Sequence, residues 1–100
     1  MSTQAITEKI AEYFKTQPVL KAWLFGSFAR GEETSDSDVD ILVRFDRSKS
    51  SIGLFAYMRM HRKLEERLGR KVDLAEEGTL RPAAQLTANR DKKLIYERSN

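Results

Sequence analysis

The 100-residue sequence has no cysteine, one histidine, two prolines and no apolar run near the roughly 18 to 20 residues that a membrane span needs. Without cysteine there is neither a disulfide framework nor a thiolate zinc site, and a lone His61 excludes a His-rich metal cluster. Any metal must therefore be held by oxygen. The N-terminus lacks the basic-then-apolar layout of a secretion signal, so the chain is expected in the cytoplasm and off the membrane. An excess of one charge is also missing: 18 Lys+Arg against 15 Asp+Glu leave a net charge of +3. Nucleic-acid binders carry a basic stripe with interleaved aromatics, and none is present, so no direct nucleic-acid binding is expected. With 40% hydrophobic residues the chain is too apolar for disorder and can bury one core, which reads as a single domain over residues 1–100.

What charge there is lies unevenly. Residues 81–100 hold five basic side chains against two acidic ones and supply the whole excess. Between Gly31 and Asp40 stand Glu32, Glu33, Asp36, Asp38 and Asp40, with no Lys or Arg among them.

Ile6, Ile10, Tyr13 and Phe14 recur at helical spacing behind Ser2 and Thr3, either of which can cap, and predict a helix over residues 3–16 that Pro18 ends. Val19 to Phe25 reads as a buried strand stopped by Gly26, and Ser27 to Gly31 as a short helical turn. After the polar loop Gly31 to Ser37, the residues Val39, Ile41, Val43 and Phe45 alternate with Asp40, Leu42 and Arg44 as a second strand. Asp46 to Ser51 is a further loop. From Ile52 to Leu68 the positions Leu54, Tyr57, Met58, His61, Leu64 and Leu68 form one side of a long helix, which Gly69 terminates. Val72 to Ala75 makes a third strand, Pro82 to Asn89 a short helix and Leu94 to Tyr96 a last edge strand. The order describes an α/β (α+β) fold, a small mixed β-sheet flanked by helices, with the acidic loop feeding the second strand.

On an extended chain Asp36, Asp38 and Asp40 face one way while Val39, Ile41 and Val43 face the core. Crowded carboxylates raise one another's pKa unless a cation lies between them, and magnesium suits a site with only oxygen donors. Asp73, between Val72 and Leu74, is placed to be the third carboxylate; such a set suffices for two metals roughly 3.5 to 4 Å apart. Gly26-Ser27, between an apolar strand and a helical turn, offers N–H groups and a hydroxyl to an anion. Neither a Walker A loop nor a Rossmann fingerprint is present, because the Gly and Lys spacings are wrong.

Gly26-Ser27, ten intervening residues and then Asp38-Val39-Asp40, within GSFARGEETSDSDVDILV, resembles the nucleotidyltransferase superfamily that includes DNA polymerase beta and kanamycin nucleotidyltransferase. The string looks like the minimal, single-domain members, which are commonly antitoxins paired with a HEPN-domain ribonuclease toxin. The resemblance implies a nucleotidyltransferase-like fold in which Asp38, Asp40 and Asp73 are catalytic and hold two Mg2+ ions. Gly26 and Ser27 would grip the β and γ phosphates of ATP, and Arg30 would reach the triphosphate. It further implies transfer of AMP to a toxin tyrosine, in a type VII-like toxin-antitoxin module and a hetero-oligomer with the HEPN toxin. At 100 residues little surface remains beyond the catalytic sheet, so the acceptor is expected to come with the partner.

Plainer roles stand beside these. Ser35 to Asp38 fits a solvated turn, Ser27 a helix cap, Arg30 a surface charge and Asp73 a strand-end charge. His61 is expected to be hydrogen-bonded and half-buried, Trp23 to be core, and Arg62 to pair with Glu66. Arg90, Lys92, Lys93 and Arg98 suit either a charge-blunted edge or a partner contact. Two competing functions remain: the same fold blocking its toxin by occlusion alone, and AMP transfer to a small molecule of the aminoglycoside type.

Overall fold

A computed structural model describes residues 2–48, 52–79 and 90–99. Helix α1, Thr3–Phe14, starts where the Ser2 hydroxyl accepts the Ala5 N–H at 3.1 Å, and buries Ile6, Ile10, Tyr13 and Phe14 along one stripe. It stops two residues short of the expected end: Thr16 and Gln17 bond back to the carbonyls of Tyr13 and Phe14 in a turn that delivers Pro18 to the sheet.

Strand β1, Val19–Phe25, is followed by the single-turn helix α2, Gly26–Arg30, strand β2, Val39–Phe45, and the long helix α3, Leu54–Leu68. Strand β3, Val72–Glu76, and strand β4, Lys93–Glu97, complete the elements of the described residues. The four strands lie in the order β3-β2-β1-β4, with β1 antiparallel to both β2 and β4, and β2 parallel to β3. The parallel pair is reached through α3, the crossover that such pairing requires. Val39, Ile41, Val43 and Phe45 of β2 join Val19, Ala22, Leu24, Val72 and Leu74 in one core with the apolar stripes of α1 and α3. By alternation Asp40, Leu42 and Arg44 turn to the other face, where Leu42 is fully buried beside its cross-strand partner Trp23. Trp23 is core, as expected, and its ring lies under the Arg44 guanidinium and the Lys92 ammonium.

Three expectations need correction. The strand begins at Val39, so Asp36 is not on it: Asp36 is exposed in a turn whose Thr34 and Ser37 exchange hydrogen bonds. The buried stripe of α3 is Met60, Leu64 and Leu68 with Tyr57 and His61 half-buried, whereas Leu54 and Met58 are 70% and 55% exposed. A step of about 100° per residue carries Met58 off the line that Tyr57, Met60 and Leu64 trace against the sheet. Glu66 is met at 3.8 Å by Lys63, three residues before it, rather than by Arg62. The helix expected over Pro82 to Asn89 lies outside the described residues. Among those described, no helix is long and apolar enough to cross a membrane.

Candidate active site

The acidic segment sorts itself by contacts. Glu32 pairs with Arg30 at 3.3 Å, and Glu33 accepts the Thr3 hydroxyl at 2.6 Å, which with Arg70 nearby holds its carboxyl below the usual range. Asp36 sits in the exposed turn. What remains for chemistry is Asp38, exposed at the entrance of β2, and Asp40, half-buried one pleat further in.

Register brings the third carboxylate. In the parallel pairing Asp40 lies beside Asp73, and in the antiparallel pairing it lies beside Phe25, the last residue of β1. The chain leaves β1 through Gly26, whose φ of +68° is in the left-handed region. A Cβ at that position would stand 2.2 Å from Asp40 Oδ2, so the carboxylate occupies space that only glycine leaves open. Burial pushes the Asp40 carboxyl up to about 6, the carboxylates of Asp73 and Asp38 push the same way, and Arg30 pulls against them. The site thus lies on the sheet face opposite α1 and α3, where β2 and β3 begin and β1 ends.

Ser27 is half-buried on α2 beside Gly26, and its hydroxyl makes no hydrogen bond among the described residues. Arg30 is turned elsewhere: its guanidinium contacts Glu32 at 3.3 Å and Asp91 at 3.1 Å, and these two carboxylates hold it charged. The structure therefore groups Asp38, Asp40, Asp73, Gly26 and Ser27, and sets Arg30 at the rim in an ion pair of its own.

The donor set suits a hard divalent cation, since it is all oxygen and its inner carboxyl is one that a nearby cation would ionise. Among the described residues no three His, Cys, Asp or Glu side chains yet converge on one point as ligands. Strand register makes the carboxylates neighbours without closing them into a cage.

One positioning contact escaped the sequence reading. Arg70, just after the Gly69 that ends α3, donates to the carbonyls of Ser37 at 2.9 Å and Thr34 at 3.3 Å, and its guanidinium lies 5.1 Å from the Phe28 ring centroid. It straps the loop immediately ahead of Asp38 to the start of β3. Its partners are backbone carbonyls, which carry no signature in a sequence. His61 behaves as expected, half-buried with Nε2 at 2.7 Å from the Val72 carbonyl.

Residues 8–100 match the family described as Polymerase beta, Nucleotidyltransferase. A Methanocaldococcus jannaschii protein, provisionally named a protein adenylyltransferase, is 38% identical over 82 residues, which cover 82% of this chain and 85% of that one. The protein adenylyltransferase MntA of Thermococcus cleftensis is 40% identical over 68% of this chain and 66% of its own. Among solved structures, a chain from the complex of a tri-AMPylated Shewanella oneidensis HEPN toxin with an MNT antitoxin superposes with a TM-score of 0.70. That match covers 97% of this chain and 74% of the other at 19% identity, a likeness of fold.

Proposed function

This chain belongs to the polymerase beta nucleotidyltransferase family, and we propose that it transfers AMP from ATP to a tyrosine hydroxyl of a cognate HEPN-type ribonuclease toxin, acting as that toxin's antitoxin. The family membership supports the reaction class, and the names of the relatives support a protein as acceptor. The observation that carries the reading is the placement of Asp73 beside Asp40, with Gly26 yielding the space into which the Asp40 carboxylate fits.

In this reading the Gly26 backbone and the Ser27 hydroxyl hold the β and γ phosphates, leaving the α-phosphorus over the carboxylates of Asp38, Asp40 and Asp73. Two magnesium ions, when bound by those three residues, supply the positive charge that neutralises the phosphates. The tyrosine oxygen forms its bond to the α-phosphorus in line with the bond that breaks to the β-phosphate, and pyrophosphate leaves. Asp73, exposed on β3 beside Asp40, takes the phenolic proton. Arg30 reaches the departing phosphates by exchanging Asp91 and Glu32 for them.

The test uses the chain purified with its native partner, magnesium, and ATP labelled at either the α- or the γ-phosphate. Covalent label on the partner from the α position alone, lost in Asp38→Ala/Asp40→Ala, is the expected result. A partner that is bound and inhibited while neither label transfers would replace catalysis by occlusion.

A further inference from the structure

Among the described residues, strand β3 is an edge strand with β2 on one side only. The Val39 N–H donates to the Lys71 carbonyl at 3.0 Å, so in this parallel register the residues of β3 that turn their backbone groups away from β2 are Val72, Leu74 and Glu76. Three of the outward groups of Val72 and Leu74 meet side chains of α3. The Val72 N–H donates to Glu65 Oε2 at 2.9 Å, the Val72 carbonyl lies 2.7 Å from His61 Nε2, and the Leu74 carbonyl accepts the Tyr57 hydroxyl. Since a carbonyl only accepts, Nε2 is the protonated nitrogen of His61. Tyr57, His61 and Glu65 stand four residues apart, so they form one row down the side of α3.

Between the two residues so held lies Asp73. Its own side chain is exposed and makes no hydrogen bond or ion pair among the described residues, so its backbone alone sets where the carboxylate points. We infer that Tyr57, His61 and Glu65 are positioning residues that aim Asp73 toward Asp40 and thereby set the affinity of the carboxylate cluster for a divalent cation. The inference rests on Asp73 being a member of the site. The apolar side chains Met60, Leu64 and Leu68 already attach α3 to the sheet, which leaves the polar row to define the height and tilt of the strand edge. If the row served only to cover an open edge, its loss would change stability and nothing at the carboxylates.

The full chain is titrated with Mn2+ alone, bound metal being read by electron paramagnetic resonance, and α-label transfer to the co-purified partner is measured in parallel. Tyr57→Phe/His61→Leu and Glu65→Leu, each confirmed folded by circular dichroism, are expected to weaken Mn2+ binding about 10-fold. Transfer should fall in kcat by a similar factor of about 10, with the KM for ATP within about twofold. Glu65→Gln, which keeps an oxygen acceptor for the Val72 N–H, should recover most of both. Unchanged Mn2+ affinity in the folded variants, or a Glu65→Gln as impaired as Glu65→Leu, would overturn the inference. So would a wild-type chain that binds no Mn2+. Should the double variant fail to fold, Tyr57→Phe, which removes one hydroxyl, is read by the same criteria. If wild type transfers no label, the proposed function fails, while the Mn2+ titration still decides the positioning.

Discussion

Gly26 and Gly31 both hold the chain at positive φ, +68° and +71°, but they differ in what surrounds them. A Cβ at Gly31 meets nothing within 4 Å, whereas one at Gly26 strikes the Asp40 carboxylate. Alanine at either position should cost about 1–2 kcal/mol of backbone strain. Only Gly26→Ala should also displace the carboxylate, lowering label transfer about 100-fold while Gly31→Ala keeps it. Comparable transfer by the two variants would remove Asp40 from the site. Asp40 itself makes a prediction about pH. Its carboxyl rises from an ordinary 3.8 to about 6 on folding, so between those values the folded chain holds a proton that the unfolded chain releases. The stability it contributes is complete below about 4 and is lost as pH rises through about 6. Because the group is half exposed, solvent screening reduces the effect to about 1 kcal/mol. Asp40→Asn should therefore melt higher than wild type in metal-free buffer at pH 7.5, by roughly 4–8 °C, and the difference should close toward pH 4. A constant difference across that range would mean that Asp40 is not strained in the fold.

Elements are held in place here by side chains reaching to backbone. Among the described residues strand β4 pairs with β1 alone, and just past its end the Arg98 N–H donates to the Leu20 carbonyl while its guanidinium grips the Gln17 carbonyl and Asp46. Asp46 also accepts from Ser48, and with Arg98 these bonds hold its carboxyl down at about 2. Arg98→Ala should release that end of the strand, and the β4 amides are expected to exchange about 10-fold faster while those of β2 are unchanged. Equal acceleration in both strands would mean that the pin supports the whole sheet. The strands β1 and β2 were legible almost to the residue, since an apolar run closed by Gly26 and an alternation closed by Asp46 each have a single reading. The helical face of α3 was less so, because Leu54 and Met58 continue an apolar pattern that the sheet does not reach. Asp38 and Asp40 were legible from alternation and Asp73 from its apolar neighbours. The pairing of Asp73 with Asp40 is a consequence of strand order, which periodicity does not encode. Arg70, Tyr57 and Glu65 were missed as positioning groups for a related reason: their partners are main-chain atoms, identical at every residue.

At the scale of the molecule, apart from Leu94 on β4, the large apolar side chains left exposed among the described residues are gathered at one place. Leu54, Phe55 and Met58 are exposed at the start of α3, and Phe55 and Met58 line a hollow of about 400 Å3 with Arg59, His61 and Arg62. Phe55→Ser/Met58→Ser should leave stability within about 0.5 kcal/mol of wild type, a melting curve being the check; a larger loss would mean that the core extends to this end of the helix. The order of the strands also bears on how the chain is made. Every carboxylate of the site lies on a strand or turn completed by residue 76, and the pairings β1 with β2 and β2 with β3 close within that span. Strand β4 must instead return to β1 across about 70 residues of chain, a loop closure that is slow. On a ribosome, where the N-terminal part emerges first, the strands that carry the acids therefore reach solution ahead of β4, which covers β1. During that interval β1 presents an open edge, and β4 closes it only after the acid-bearing strands have been made.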